Sequence, residues 1–397
     1  MMIQATLVAT KAFLLSAQVP GAESNGSDGV AVASTVERIM QRIAEYPFNP
    51  IEDGRTQDPL LDHDGVADLS DVAWRVRLLA IRDLARLGSS ALPEVIKHTH
   101  DENPHVRNIA AFVLGLNPGE DSKAALIESL HQDPDPVVRS QAAISLAQLE
   151  SEAALPVLQD LAKNDASRDV RHQCDLAVYR ITQYDEPDTN LATAYAELDE
   201  STFEQINVGQ PAIDFELVDT DGNSWRLSDF RGKKDVVLIW IFADWCPVCH
   251  NEFREMIELR EQYEARDVEV VTIECHDLYR CRVMVGREFQ PEYWFSKVSP
   301  QGFYEGKIWW RHLVDVAGAV GATYGVQPME FVVHAEWINR PATVIVDKEG
   351  IVRFAYYGTY WGDRPSIEQT LEMIEKGEFI FEHPTRLKRD QTVQNSE

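Results

Sequence analysis

Two cysteines three positions apart, Cys246 and Cys249 in Trp245-Cys246-Pro247-Val248-Cys249, stand where an apolar run gives way to a helical pattern. The run, Val236 to Phe242, is continuous and partly β-branched, as expected of a strand buried on both faces. After the cysteines, Phe253, Met256, Ile257 and Leu259 recur at helical spacing up to about Ala265. This placement suits dithiol chemistry, because the attacking species is a thiolate and the free amides and positive dipole end of a helix N-terminus lower a thiol's pKa. Cys246 is the expected nucleophile. Cys249, one turn further on the same face, would attack the mixed disulfide at Cys246 and release the reduced partner. Pro247 fits the first helical turn, where its missing N–H costs nothing, and Trp245 would shield one side of the sulfur pair.

The competing chemistry for these residues is a zinc knuckle completed by Cys275, His276 and Cys281. Zinc sites place their cysteine pairs on tight turns, whereas this pair lies between a buried strand and a helix, so no metal is expected. Cys275 and Cys281 read first as packing residues near a strand end, with an auxiliary redox role, alongside His276, as the sharper alternative. No cofactor is expected.

The elements around the pair are legible. Phe215-Glu216-Leu217 leads through the acidic Gly turn at Asp219 to Asn223 into Trp225-Arg226-Leu227, a hairpin. Asp267 to Glu274 reads as a second parallel strand; Ala342 to Asp347 and Ile351 to Tyr357 read as a later hairpin around Lys348-Glu349-Gly350. A closing helix is expected from about Ser366 to Lys376, after Asp363-Arg364-Pro365.

Residues 205 to 383 resemble the redoxin branch of the thioredoxin superfamily, which joins AhpC/TSA-type peroxiredoxins to TlpA/ResA-type thiol-disulfide oxidoreductases. The matching stretches are Val208 to Phe215, Leu227 to Lys233, Trp245 to Cys249 with Glu252, Tyr324-Gly325-Val326, and Arg340-Pro341-Ala342-Thr343. The resemblance implies that Pro341 is cis and lines the substrate groove, and that Glu252 is an acidic residue near the resolving cysteine; Arg340, by its adjacency to Pro341, reads either as a surface cation or as a group that stabilises a thiolate. Glu252 can equally be read as an acid favoured by the helix dipole alone. A peroxiredoxin centre has Pro and Thr seven and three residues before its cysteine, whereas this chain has Ile239 and Ala243. A second departure is the enlarged stretch between Glu274 and Pro341, with an aromatic run (Phe289, Tyr293, Trp294, Phe295, Phe303, Tyr304, Trp309, Trp310) and His334-Ala335-Glu336-Trp337; it is expected to set specificity.

The first half repeats itself. Val-Arg recurs at Val76-Arg77, Val106-Arg107, Val138-Arg139 and Val170-Arg171, at spacings of 30, 32 and 32 residues. Four positions after each Val stands Ala80, Ala110, Ala142 or Cys174, and four further on Leu84, Leu114, Leu146 or Val178, one helical stripe. With intervening helices near Ala91 to Lys97, Lys123 to Leu130 and Ala153 to Leu161, helix pairs stack into a solenoid that needs several copies to bury its core. This region resembles HEAT-like repeats of the short bacterial kind, which implies a protein-binding platform. Cys174 is then a small packing residue.

The expected organisation is an irregular lead-in over 1–69, with one short helix near Val36 to Tyr46, helical repeats over 70–185, a linker over 186–204, a thioredoxin-like domain over 205–383, and a tail over 384–397. The fold class is multidomain: an all-α HEAT-like solenoid followed by an α/β thioredoxin-like fold with a central mixed sheet flanked by helices. The formal charge of −28, from 65 acidic against 37 basic side chains in 397 residues, repels phosphate backbones and argues against nucleic acid. No apolar run has the length of a membrane span, so no integral membrane segment is expected. Arg386, Lys388 and Arg389 read as a solvated end. The stretch Met1 to Ala22 lacks a basic start and is interrupted by Lys11, so a cytoplasmic location is slightly favoured, with an extracytoplasmic one following if that stretch acts as a signal. The expected activity is thiol-disulfide exchange with a protein disulfide or dithiol substrate and an electron-donor protein, the repeats recruiting a partner. A peroxide reductase and a non-catalytic scaffold are the alternatives.

Overall fold

The computed structural model describes residues 26–45, 73–184, 190–291, 302–331, 336–358 and 362–381. The apolar N-terminal stretch, the basic tail, Tyr293, Trp294, Phe295, His334 and Ala335 lie outside them.

The repeats form as the Val-Arg spacing predicts. α1 (Gly26–Glu45) precedes four helices that each carry one Val-Arg pair: α2 (Ala73–Leu87), α4 (Pro104–Gly115), α6 (Pro136–Gln148) and α8 (Arg168–Gln183). Between them run α3 (Leu92–His98), α5 (Glu120–Gln132) and α7 (Leu155–Asn164). Asn103, Asp135 and Ser167 cap α4, α6 and α8 with their side chains, as polar residues do at the start of a helix. Ala110, Ala142, Cys174, Leu84, Leu114 and Leu146 are fully buried. Neighbouring helices approach so closely that a Cβ on Gly115 would lie 2.7 Å from Ser145 Cβ. Burial pushes the Cys174 thiol up to about 12, which fits its reading as a packing residue.

The Val-Arg arginines do more than the stripe suggested. Arg107 binds both oxygens of Asp133 (2.7 and 2.9 Å) and Arg139 both oxygens of Asp165 (2.9 and 2.8 Å). Each also donates backward to the loop carbonyls of Asp101 and Glu102, or of Asp133 and Pro134. Successive repeats are thus joined by paired, planar hydrogen bonds suited to a guanidinium.

α1 starts ten residues before the expected Val36 and buries Val36, Met40 and Ile43 in the solenoid core. Within the expected linker, α9 (Leu191–Ala196) buries Tyr195, and Leu198 and Phe203 follow it into the same core.

The second half is built on a seven-stranded mixed sheet in the order β2-β1-β5-β4-β3-β8-β9. Its strands are β1 (Glu216–Asp219), β2 (Ser224–Arg226), β3 (Asp235–Trp240), β4 (Val268–Glu274), β5 (Arg311–Val314), β8 (Ala342–Val346) and β9 (Val352–Tyr357). β3, β4 and β5 run parallel, while β8 lies antiparallel to β3. β6 (Pro328–Phe331) and β7 (Glu336–Asn339) make a separate pair. The helices are α10 (Pro247–Glu258), α11 (Arg260–Glu264), α12 (Leu278–Met284), α13 (Ala319–Thr323) and α14 (Ile367–Lys376). The enlarged stretch after Glu274 therefore supplies a sheet strand, β5, as well as aromatic residues. No helix among the described residues is long and apolar enough to cross a membrane.

Candidate active site

Chain direction places the cysteines as the sequence implies. β3 ends at Trp240, the chain turns through Asp244 and Trp245, and Cys246 becomes the N-cap of α10 with Pro247 in the first turn. Cys249 lies in that same turn. Both thiols are free, and both residues are fully buried.

The two sulfurs are held unequally. Burial, the hydrogen bond between the two sulfurs and the neighbouring Cys249 charge push the Cys246 thiol well above its usual range. Burial also works to raise Cys249, but the hydrogen bond from Cys246 and the Arg364 guanidinium outweigh it and bring Cys249 below the ordinary value. The geometry agrees: the Cys249 sulfur accepts from the Phe242 amide at 3.4 Å and from Arg364 Nη2 at 3.5 Å. In the closed dithiol the negative charge is therefore favoured on Cys249, with the proton on Cys246.

Arg364, in the sequence, only leads into α14. It is buried, donates to Trp240 O at 2.5 Å and to Glu252 Oε1 at 2.6 Å, and also binds Glu252 Oε2. Glu252 thus sits beside the pair with its charge compensated by Arg364. Arg340 lies elsewhere: it donates to Gly358 O at 2.6 Å and reaches Gln327 Oε1 and Tyr357 O at 3.4 Å. The cation found at a sulfur is Arg364.

Pro341 requires a correction. No cis peptide occurs among the described residues, so the Arg340–Pro341 bond is trans. Trans is the intrinsically favoured isomer even before proline. Here Arg340 N donates to Gln327 O and Pro341 O accepts from Gly358 N, which carries the chain straight from β7 into β8.

Around the turn lies a buried polar shell. Trp245 Nε1 donates to Glu336 Oε2 at 2.6 Å. Arg280 binds both oxygens of Asp244 and Glu336 Oε1. His250 bonds Asp244 O at 2.6 Å and Tyr304 Oη at 2.7 Å, and burial lowers its pKa to about 4. Burial, opposed by Arg280, raises Asp244 to about 6.

The auxiliary residues gather at the end of β4. Glu274 bonds His276 Nδ1 at 2.6 Å and His312 Nε2 at 2.9 Å. Burial opposes both charges, yet the pairing holds Glu274 well below, and His276 above, the usual ranges. Glu274, Cys281 and His312, and likewise Asp244, Glu274 and His276, lie close enough to hold a metal ion. The protein already satisfies most of this cluster: Thr272 Oγ1 accepts from Trp310 Nε1, so it donates to His312 Nδ1 and leaves Nε2–H for Glu274. Cys281 donates to His276 O at 3.6 Å. Burial, reinforced by Glu274, pushes Cys275 and Cys281 well up, unlike an activated thiol. A cavity between solenoid and sheet domain is lined by Phe112, Gln173, Tyr195, His276, Arg280 and Trp337 among others.

Comparison with known proteins finds the AhpC/TSA family over residues 208–355 and HEAT repeats over 66–131 and 99–178. The chain is 29% identical over 171 residues to the thiol-disulfide oxidoreductase ResA of Geobacillus thermodenitrificans, covering 43% of this chain and 79% of that protein. It is 25% identical over 180 residues to the chloroplastic 2-Cys peroxiredoxin BAS1 of Arabidopsis thaliana, covering 45% and 61%. Among solved structures, the reduced 2-Cys peroxiredoxin of Plasmodium vivax matches with 22% identity and a TM-score of 0.34 over 43% of this chain and 96% of that one.

Proposed function

From an AhpC/TSA-family domain joined to HEAT repeats, we propose a thiol-disulfide oxidoreductase in which Cys246 and Cys249 exchange with a disulfide on a protein substrate and an electron-donor protein re-reduces them. The observation that carries this reading is the asymmetric sulfur pair: Cys246 at a helix N-cap, and Cys249 backed by the Phe242 amide and Arg364.

Cys246 attacks one sulfur of the incoming disulfide while its proton passes to the Cys249 sulfur, and the first substrate thiolate leaves. Cys249 then attacks Cys246 and gives up that proton to the second departing sulfur. The products are a Cys246–Cys249 disulfide and two reduced substrate sulfurs, one carrying the proton. Arg364 favours the anionic form of Cys249 at the start of this sequence and again as Cys249 attacks Cys246. Because both sulfurs are buried, exchange requires the turn that carries Cys246 to open to the substrate. The HEAT repeats fit recruitment of a protein partner.

Insulin reduction and peroxide consumption, measured on wild type and Cys246→Ser, test the proposal. Insulin reduction by wild type and its loss in Cys246→Ser are expected. Peroxide consumption without insulin reduction would make the protein a peroxide reductase, and inactivity in both assays would leave a scaffold.

A further inference from the structure

The turn that carries Cys246 is braced from the other domain. Trp245 immediately precedes Cys246 and donates to Glu336 Oε2 at 2.6 Å. The other oxygen of Glu336 accepts from Gln173 Nε2 at 2.9 Å and from Arg280 Nη2 at 2.9 Å. Gln173 belongs to α8 and is 1% exposed; Trp245 and Glu336 are 2% and 4% exposed. A second tie, Arg180 Nη1 to Asp277 Oδ2 at 2.9 Å, fixes the same helix to the start of α12. Phe112 of α4 meets Trp337, next to Glu336, with ring centroids 6.0 Å apart. In a site this dry each hydrogen bond is strongly directional, and removing one partner leaves the other's desolvation uncompensated.

We propose that Gln173 is a positioning residue for the dithiol, so that the docked solenoid completes the redox site as well as presenting a surface to partners. Gln173 holds Glu336 against Trp245, and Trp245 keeps the Cys246 turn closed over the sulfur pair. The inference rests on reading Cys246 and Cys249 as a redox pair. Since this closed arrangement is the dithiol form, loosening it favours the disulfide and uncovers Cys246.

The test uses the full chain equilibrated in glutathione redox buffers, with the Cys246–Cys249 disulfide quantified by mass spectrometry and Cys246 alkylation timed with iodoacetamide. Gln173→Leu is expected to shift the equilibrium toward disulfide by about three- to ten-fold, the range of one buried hydrogen bond, and to speed alkylation. The exchanged pair Gln173→Glu with Glu336→Gln re-forms the bond to position 173 and keeps an acceptor for Trp245 but loses the one for Arg280, and is expected to return both readouts part of the way to wild type. Arg107→Ala, which breaks a solenoid ion pair with Asp133 instead, is expected to lower stability and leave both readouts unchanged. If Gln173→Leu does not fold, the near-isosteric Gln173→Glu alone, which sets two carboxylates together, should give the same two shifts. Wild-type values in the Gln173 variants, with a normal disulfide in wild type, overturn the inference and leave the dithiol reading standing. A wild type that forms no Cys246–Cys249 disulfide overturns both.

Discussion

Arg364 brings its guanidinium to 3.5 Å from the Cys249 sulfur across 115 positions of chain, while the same group binds Glu252 and Trp240 O. One cation thus serves a carboxylate and a thiol that would otherwise repel each other in a dry site. Without it, ionising Cys249 beside Glu252 would place two like charges together.

Replacing Arg364 with Met should therefore have two separable effects. Stability should fall by about 3–5 kcal/mol, because Glu252 is left buried and unpaired. The Cys249 thiol should titrate at higher pH. Adding Glu252→Gln should restore most of the stability in urea unfolding without restoring the Arg364 contribution to thiol acidity, read from thiolate absorbance against pH. Full recovery of acidity in the double variant would show that Glu252 alone had set it.

The proposed roles of the cysteines predict different trapping behaviour. Cys249→Ser should accumulate a mixed disulfide through Cys246 with a model disulfide, since the second attack is removed. Cys246→Ser should not. A mixed disulfide through Cys249 in the latter variant would reverse the assignment, and the charge preference for Cys249 makes this outcome worth measuring.

The solenoid's Arg-Asp rungs should be costly to break singly. Arg107 and Asp133 have side chains 10% and 3% exposed, so Arg107→Ala should lose about 3–5 kcal/mol in urea unfolding, much of it from the stranded Asp133 carboxylate. Asp133→Asn in the same background should return part of that loss. A loss below about 1 kcal/mol would place these pairs with ordinary surface salt bridges.

His250 gives stability a pH dependence. Its folded value of about 4 lies below the ordinary 6.5, so between those limits the unfolded chain binds more protons and stability falls as pH is lowered. Loss is complete below about pH 4 and on the order of 3 kcal/mol. Asp244, raised from 3.8 to about 6, acts with the opposite sign over an overlapping range. The comparison is therefore between wild type and His250→Gln, which keeps the Asp244 contribution and should have the shallower decline. Parallel pH profiles would remove His250 from the account.

The sequence carried the periodic parts of this protein. Buried stripes recur with the helix, β3 is apolar from Val236 onward, and the cysteines fall at the strand-to-helix turn, because each of these signals is local. What it did not carry was chosen by tertiary contact. Arg364 stands in a lead-in to α14 that looks like any polar turn, and its partners Glu252 and Cys249 are over a hundred residues away. His250 and Glu336 show no periodicity of their own, and Gln173 sits among solenoid residues with no hint that it meets Glu336. Adjacency to Pro341 singles out Arg340 in the sequence, but the peptide there is trans and the arginine points to Gly358 and Gln327. The periodic arginines carry more than their spacing shows, because Arg107 and Arg139 each find their aspartate in the next repeat.

Leu176 of α8 shares an apolar cluster with Tyr279 and Val283 of α12, and the amides of Glu204, which ends the linker, and of Gln205 are bonded to Ala322 and Thr323 carbonyls. The boundary between the halves is thus interior rather than surface. A shortened gene product beginning near Gln205 would expose oily side chains to water, and transplanting this redox unit onto another carrier would require bringing α8 along with it.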